Sequence, residues 1–214
     1  YPTITILLFC LHKDTFDGIL LIAFFRGFEH MTPPDTFYEN AMASYNRLDE
    51  LVPPGSYVVA TDLFDGELLY DTMHALQHPL GTTYDGFYDF MNCLEINPCW
   101  GWLNSDDVVR KNTTAHAKSL NAMYTQIEEE QDFKNFKLIH FSPDWRKLFR
   151  EYEALGFPAS NLIEKADGFH PSQAANYIFA QQFFKFLEDE HPEAIGPINP
   201  KNDEIDALFF SASP

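Results

Sequence analysis

Positive charge is what this sequence has least of. Lys and Arg together number 14 against 32 Asp and Glu, a formal net charge of −18. That balance argues against a nucleic-acid partner, whose affinity would come largely from Lys and Arg neutralising phosphates. It equally disfavours adsorption to an anionic membrane by charge alone, but it leaves open a lipid held by apolar contacts. Long hydrophobic runs are missing too. Residues 4–11 and 19–25 are apolar but are separated by His12, Lys13, Asp14 and Asp17. Neither reaches the roughly 20 residues that span a bilayer, so no transmembrane segment is expected. Cysteine is sparse, with three residues, and no second Cys pair or suitably spaced His pair completes a zinc site. No cofactor is implied. Methionine is absent before Met31, so the expectation is a fragment or processed product in which no signal peptide can be read.

What is present is ample core material. Apolar residues make up 45% of the 214, including 21 Phe and 10 Tyr. A chain of this length suggests a single domain that buries about 70% of the surface its unfolded form exposes. Strand-like and helix-like segments alternate, the pattern of an α/β fold. Residues 1–10 and 57–61 read as buried strands, and 137–141 as another. Phe37, Ala41, Tyr45, Leu48 and Val52 share a helical face between Pro33-Pro34 and Pro53-Pro54-Gly55. Helices are also expected over 114–130, with Ala117, Leu120, Tyr124 and Ile127 inward, and over 145–155. Ser172 is a candidate N-cap for a helix to about residue 190, with Ala175, Phe179, Phe183 and Phe186 inward. Residues 63–103, rich in aromatics, Gly and Pro, are expected to lie outside the regular elements as a binding segment or lid. After His191-Pro192 a polar tail, broken by Pro197 and Pro200, is expected to be extended.

His170 is the centre of any chemistry. It stands at a helix entry, where ligands bind in open parallel sheets. Asp167 lies three residues upstream, with Gly168 between. That spacing lets the carboxylate hold one imidazole nitrogen and leave the other as a general base. Spacing alone is weak, since Asp71-Thr72-Met73-His74 repeats it. An ordinary loop carboxylate and a helix-start histidine fit equally. On a helix, Asp71, His74 and His78 would share a face. They read as metal ligands lacking a fourth partner, as substrate-loop residues, or as hydrogen-bonded core positions. Tyr84, Phe87, Tyr88, Phe90, Trp100 and Trp102 fit either an acyl groove or core packing. Cys93 and Cys99, with Pro98 between them, are within reach of a disulfide, and Cys10 reads as a buried thiol. Asn112-Thr113-Thr114 is a glycosylation sequon. Together these lean towards an exported protein.

Asp167-Gly168-Phe169-His170-Pro171 resembles the last sequence block of the GDSL, or SGNH, esterases and lipases. Several further motifs occur in the order and spacing of the acyloxyacyl hydrolase branch of that family. They are Met31-Thr32-Pro33-Pro34, Pro53-Pro54-Gly55-Ser56, Asp71-Thr72-Met73-His74, His78-Pro79-Leu80-Gly81, Phe90-Met91-Asn92-Cys93-Leu94 and Pro98-Cys99-Trp100-Gly101-Trp102. The resemblance covers residues 31–200 and implies the C-terminal part of a three-layer SGNH-hydrolase-like parallel sheet, incomplete at its N-terminal side. It implies a lipid ester hydrolase that releases secondary fatty acyl chains from the lipid A part of lipopolysaccharide. His170 would be its base, Asp167 the orienting carboxylate, and Cys93 and Cys99 a disulfide. It further implies a secreted or lysosomal protein and an upstream saposin-like domain or chain.

The departures bear on activity. No serine lies in a Gly-Asp-Ser block or in Gly-x-Ser-x-Gly, so the family's nucleophile is expected to be absent from this chain. Ser142, at a strand end, is the single candidate to replace it. The family's Gly-x-Asn-Asp block is also missing after the first strand, where Leu11-His12-Lys13-Asp14 follows. Residues 9–30 resemble nothing in the family, and an altered exon boundary or a translated intron would explain them. The expected organisation is therefore 1–30 as a strand plus divergent segment, 31–200 as hydrolase domain and 201–214 as tail. The alternative is a non-catalytic truncated paralogue or lipid-binding remnant.

Overall fold

β-Branched and apolar residues concentrate in three short runs, and each becomes a strand. β1 (Ile4–Leu7), β2 (Ser56–Thr61) and β3 (Phe136–Phe141) pair in parallel in the order β1-β2-β3. Ile4 lies opposite Tyr57, and Tyr57 opposite Lys137. The computed structural model describes residues 4–7, 27–196 and 200–209. Cys10 and the divergent segment up to residue 26 lie outside the described residues.

Eight α-helices complete the described chain: α1 (Pro34–Leu51), α2 (Glu67–Met73), α3 (Tyr84–Cys93), α4 (Asp107–Glu130), α5 (Trp145–Ala154), α6 (Gln173–Glu190), α7 (Pro192–Ile195) and α8 (Asn202–Phe209). They cover both faces of the sheet. On one face Val58, Ala60 and Leu138 pack with Phe37 and Tyr45 of α1 and with Leu120 and Tyr124 of α4. The rings of Phe37 and Tyr124 meet edge-on at 5.1 Å. On the other face Val59, Ile139 and Phe141 meet Phe183 and Leu187 of α6 and Ala194 of α7. Burial on both sides explains why Tyr57-Val58-Val59-Ala60 reads as a continuous apolar run rather than an alternating one. The Asp49 carboxylate, near the end of α1, accepts the N–H groups of Lys134 and Asn135 and fixes the entry to β3.

The α/β class holds, with three corrections to the element reading. Residues 63–103 are not free of regular structure, because α2 and α3 lie within them. Their core faces are Leu68, Leu69, Tyr70 and Met73, then Tyr84, Tyr88 and Asn92. α4 begins at Asp107, not Thr114, because Asp106 caps it by accepting the Val108 N–H at 2.8 Å. The tail contains a helix, α8, whose first turn is rich in carboxylates, a favourable placement for the helix dipole. On α6 the fully buried positions are Phe183 and Leu187, while Phe179 and Phe186 are half-buried.

Candidate active site

The turn that precedes α6 builds the Asp–His pair from backbone geometry. Gly168 adopts φ +65°, a left-handed conformation that side chains resist. This folds the chain back so that Asp167 Oδ1 accepts the N–H groups of Phe169 (2.9 Å) and His170 (3.0 Å). The second oxygen, Oδ2, is then 2.7 Å from His170 Nδ1. A carboxylate accepts, so Nδ1 carries the proton and Nε2 is left with its lone pair. Nε2 has no partner among the described residues, and the His170 side chain is 59% exposed. Burial pushes the Asp167 carboxyl pKa up. The hydrogen bonds from the His170 ring and the two backbone N–H groups outweigh that, and the net value falls below the ordinary carboxylate range. The turn is closed at its base by the Glu164 N–H donating to His170 O and the Ser172 N–H donating to Leu162 O. Ser172 caps α6 as its sequence position suggests, with Oγ accepting from the Ala175 N–H.

The other candidates fall elsewhere. Asp71 and His74 share the spacing of the dyad but sit on and just beyond α2, and they do not pair. His74 Nδ1 is 2.8 Å from the Tyr70 carbonyl, and Asp71 lies 3.8 Å from Arg146. His78 is 4% exposed; its Nδ1 accepts from the Leu80 N–H, and its Nε2 donates to the Ala166 carbonyl at 3.1 Å. These residues do not converge on a metal, and among the described residues no group of three or more His, Cys, Asp or Glu could hold one. Cys93 and Cys99 differ in their surroundings. Cys93 is exposed at the end of α3, whereas Cys99 is buried. Buried amides shape the chain between them: Asn97 donates to Asn92, and both donate to the Leu103 carbonyl. Asn112 is exposed, but its sequon lies inside α4, with Thr114 buried and accepting from Trp102 Nε1 at 3.0 Å. Of the aromatic cluster, Tyr84, Tyr88 and Trp102 are core residues and Phe90 is 60% exposed.

A second polar cluster lies at the carboxyl ends of β2 and β3, where Ser142 is the sequence's candidate and Asp62 and His140 carry no sequence signal of their own. Asp62 Oδ1 is 2.6 Å from His140 Nε2, and its Oδ2 accepts the Ser142 hydroxyl. His140 Nδ1 lies 3.3 Å from Thr125 Oγ1. Both ring nitrogens and both carboxylate oxygens are therefore engaged, and Ser142 is bonded to the carboxylate rather than to an imidazole. That arrangement does not activate a serine, which needs a base with a spare lone pair. Beside it a cleft of about 270 Å³ is lined by Asp62, Asp65, Asn121, Trp145 and Arg146, among others.

The sheet and the dyad together describe an α/β chain carrying an Asp–His pair of the kind hydrolases use as a general base. Comparison with known sequences narrows that class. No protein-family model matches the chain. The acyloxyacyl hydrolases of Homo sapiens, Oryctolagus cuniculus and Mus musculus are 34%, 33% and 33% identical to it over 184 residues, 84% of the chain. The chain spans about a third of their length, 32%. It is thus similar to the acyloxyacyl hydrolases over most of its own length. No helix among the described residues is long and apolar enough to cross a membrane.

Proposed function

We propose that the chain is the C-terminal part of a lipid ester hydrolase of the acyloxyacyl hydrolase type, releasing secondary fatty acyl chains from lipid A. One observation carries this reading: the 2.7 Å Asp167–His170 bond, which leaves Nε2 open. In this role His170 Nε2 takes the proton of a serine hydroxyl as that oxygen attacks the ester carbonyl, then returns it to the departing alkoxide. Asp167 holds the tautomer and stabilises the imidazolium. The parallel order β1-β2-β3, with helices on both faces, supports an SGNH-type three-layer sheet continued beyond β1.

Among the described residues no serine hydroxyl is bonded to His170. No serine of the sequence lies in a Gly-Asp-Ser block; on this reading the nucleophile comes from an upstream segment or a second chain, and this chain alone turns over about 10⁶-fold more slowly than a complete triad. With a net charge of −18, recognition of anionic lipopolysaccharide rests on its acyl chains, a local basic patch or an upstream saposin-like domain. A secreted or lysosomal location follows from the same kinship. Labelling by a serine-directed phosphonate tests the reading. The 214-residue chain should stay unlabelled, and the longest product of its gene should label in a His170-dependent way. His170-dependent labelling of the short chain would place a nucleophile within it. No labelling of either product would favour the alternative, a non-catalytic lipid-binding remnant.

A further inference from the structure

The dyad sits on an exposed turn, and exposed turns open easily when few buried contacts hold them. Three side chains from one distant segment hold this one. Tyr84 OH donates to the Lys165 carbonyl at 2.6 Å, His78 Nε2 to the Ala166 carbonyl at 3.1 Å, and Tyr88 OH to the Gly168 carbonyl at 2.8 Å. The donors precede their acceptors by 81, 88 and 80 residues. All three are buried, at 2%, 4% and 0% exposure.

Each donor is itself fixed. Tyr84 and Tyr88 are i and i+4 on α3, so their rings share one face. The Leu80 N–H donates to His78 Nδ1, which puts the ring proton on Nε2, the atom facing Ala166. The His78 ring stacks on Phe87 at 4.1 Å and meets Tyr84 edge-on at 4.9 Å. Burial and the nearby Asp167 charge both raise the Tyr84 and Tyr88 pKa values, so the hydroxyls stay protonated as donors. The fit is close at the pivot. A Cβ on Gly168 would lie 2.4 Å from Tyr88 OH and 2.6 Å from the Tyr84 ring.

We propose that His78, Tyr84 and Tyr88 form a three-donor clamp that positions the Asp167–His170 pair, acting on the carbonyls of the turn rather than on substrate. They are positioning residues, and their role rests on the reading of that pair as the acid–base dyad. Core packing alone would need the rings and not the hydroxyls. The clamp needs the hydroxyls, because each restrains a carbonyl within three residues of the dyad. Pre-organisation of this kind is what fixes a reacting group within the narrow tolerance that catalysis requires.

The test is made by NMR on the ¹⁵N-labelled protein and needs no turnover. Tyr84→Phe/Tyr88→Phe removes two hydroxyls and keeps both rings. In the wild type the neutral His170 ring should be held as the Nδ1–H tautomer. In the double variant that tautomer should lose its dominance. The Phe169 and His170 amides should exchange about tenfold faster, the scale of losing such hydrogen bonds, relative to the Val58 and Val59 amides of β2. An equal change at both places, or an unchanged tautomer, overturns the clamp. If the double variant does not fold, Tyr84→Phe alone is read by the same ratio. His78→Gln, which keeps a donor, should preserve the tautomer better than His78→Leu; equal behaviour of the two removes His78 from the clamp. These readouts report geometry. Should they succeed while His170→Ala leaves turnover intact, the clamp stands and the assignment of the base falls.

Discussion

Two Asp–His pairs in this chain have nearly equal bond lengths and opposite characters. Asp167–His170 is local, three residues apart and exposed, with a bond of 2.7 Å. Asp62–His140 joins two strands across 78 residues, with a bond of 2.6 Å and side chains 13% and 7% exposed. The part-buried pair spends every polar side-chain atom on protein partners and ties the end of β2 to β3. The exposed pair leaves one nitrogen uncommitted. Bond length does not separate the two pairs; a spare lone pair and access to solvent do. Asp71 and His74 sharpen the lesson, because identical spacing on helical backbone yields no pair at all.

Stability should divide the two pairs most widely. His140→Ala leaves the part-buried Asp62 without its ring partner and should cost about 1–3 kcal/mol in urea denaturation, the range for leaving a polar group unsatisfied. His170→Ala should cost well under about 1 kcal/mol, since exposed pairs contribute little. Equal losses would erase the distinction. The turn geometry comes next. Gly168→Ala must accept both φ +65° and a clash with Tyr88, and should cost about 1–3 kcal/mol. Gly81→Ala, at φ +85° with nothing within 4 Å, should cost about 1 kcal/mol from the backbone alone. A Gly81 cost as large as that at Gly168 would show that the clamp is not tight there.

The smallest effect is one of pH. The folded Asp167 carboxyl lies below its ordinary range, so its stabilising contribution is present above the unfolded value near pH 4 and is lost as pH falls through the lower folded value. The stability difference between wild type and Asp167→Asn should therefore narrow as pH drops from about 5 to about 3. A difference that stays constant over that range would mean that the bonds to Asp167 do not favour its ionised form.

Much of this architecture is legible in the sequence because it is periodic or punctuated. α1 shows its inward face at helical spacing between prolines, β2 and β3 are unbroken apolar runs, and Ser172 marks the start of α6. The Asp167–His170 bond is legible because Gly168 permits the turn that makes it. α2 and α3 are hidden by neighbouring Gly and Pro and by aromatics that mimic a binding segment, although tertiary packing makes Tyr84, Tyr88 and Trp102 core. The clamp and the Asp62–His140 strut join residues 78 or more apart, and only folding reveals such pairs. One signal for the clamp lies in the sequence: two tyrosines at i and i+4 on a buried face usually each find a hydrogen-bond partner.

The most direct test of the central claim is the turnover of an acyloxyacyl ester by the longest product of this gene, comparing His170→Ala with His74→Ala. The account predicts that His170→Ala lowers turnover by about 10⁶-fold while His74→Ala leaves the rate per folded molecule essentially unchanged. Equal rates in the two variants would contradict it.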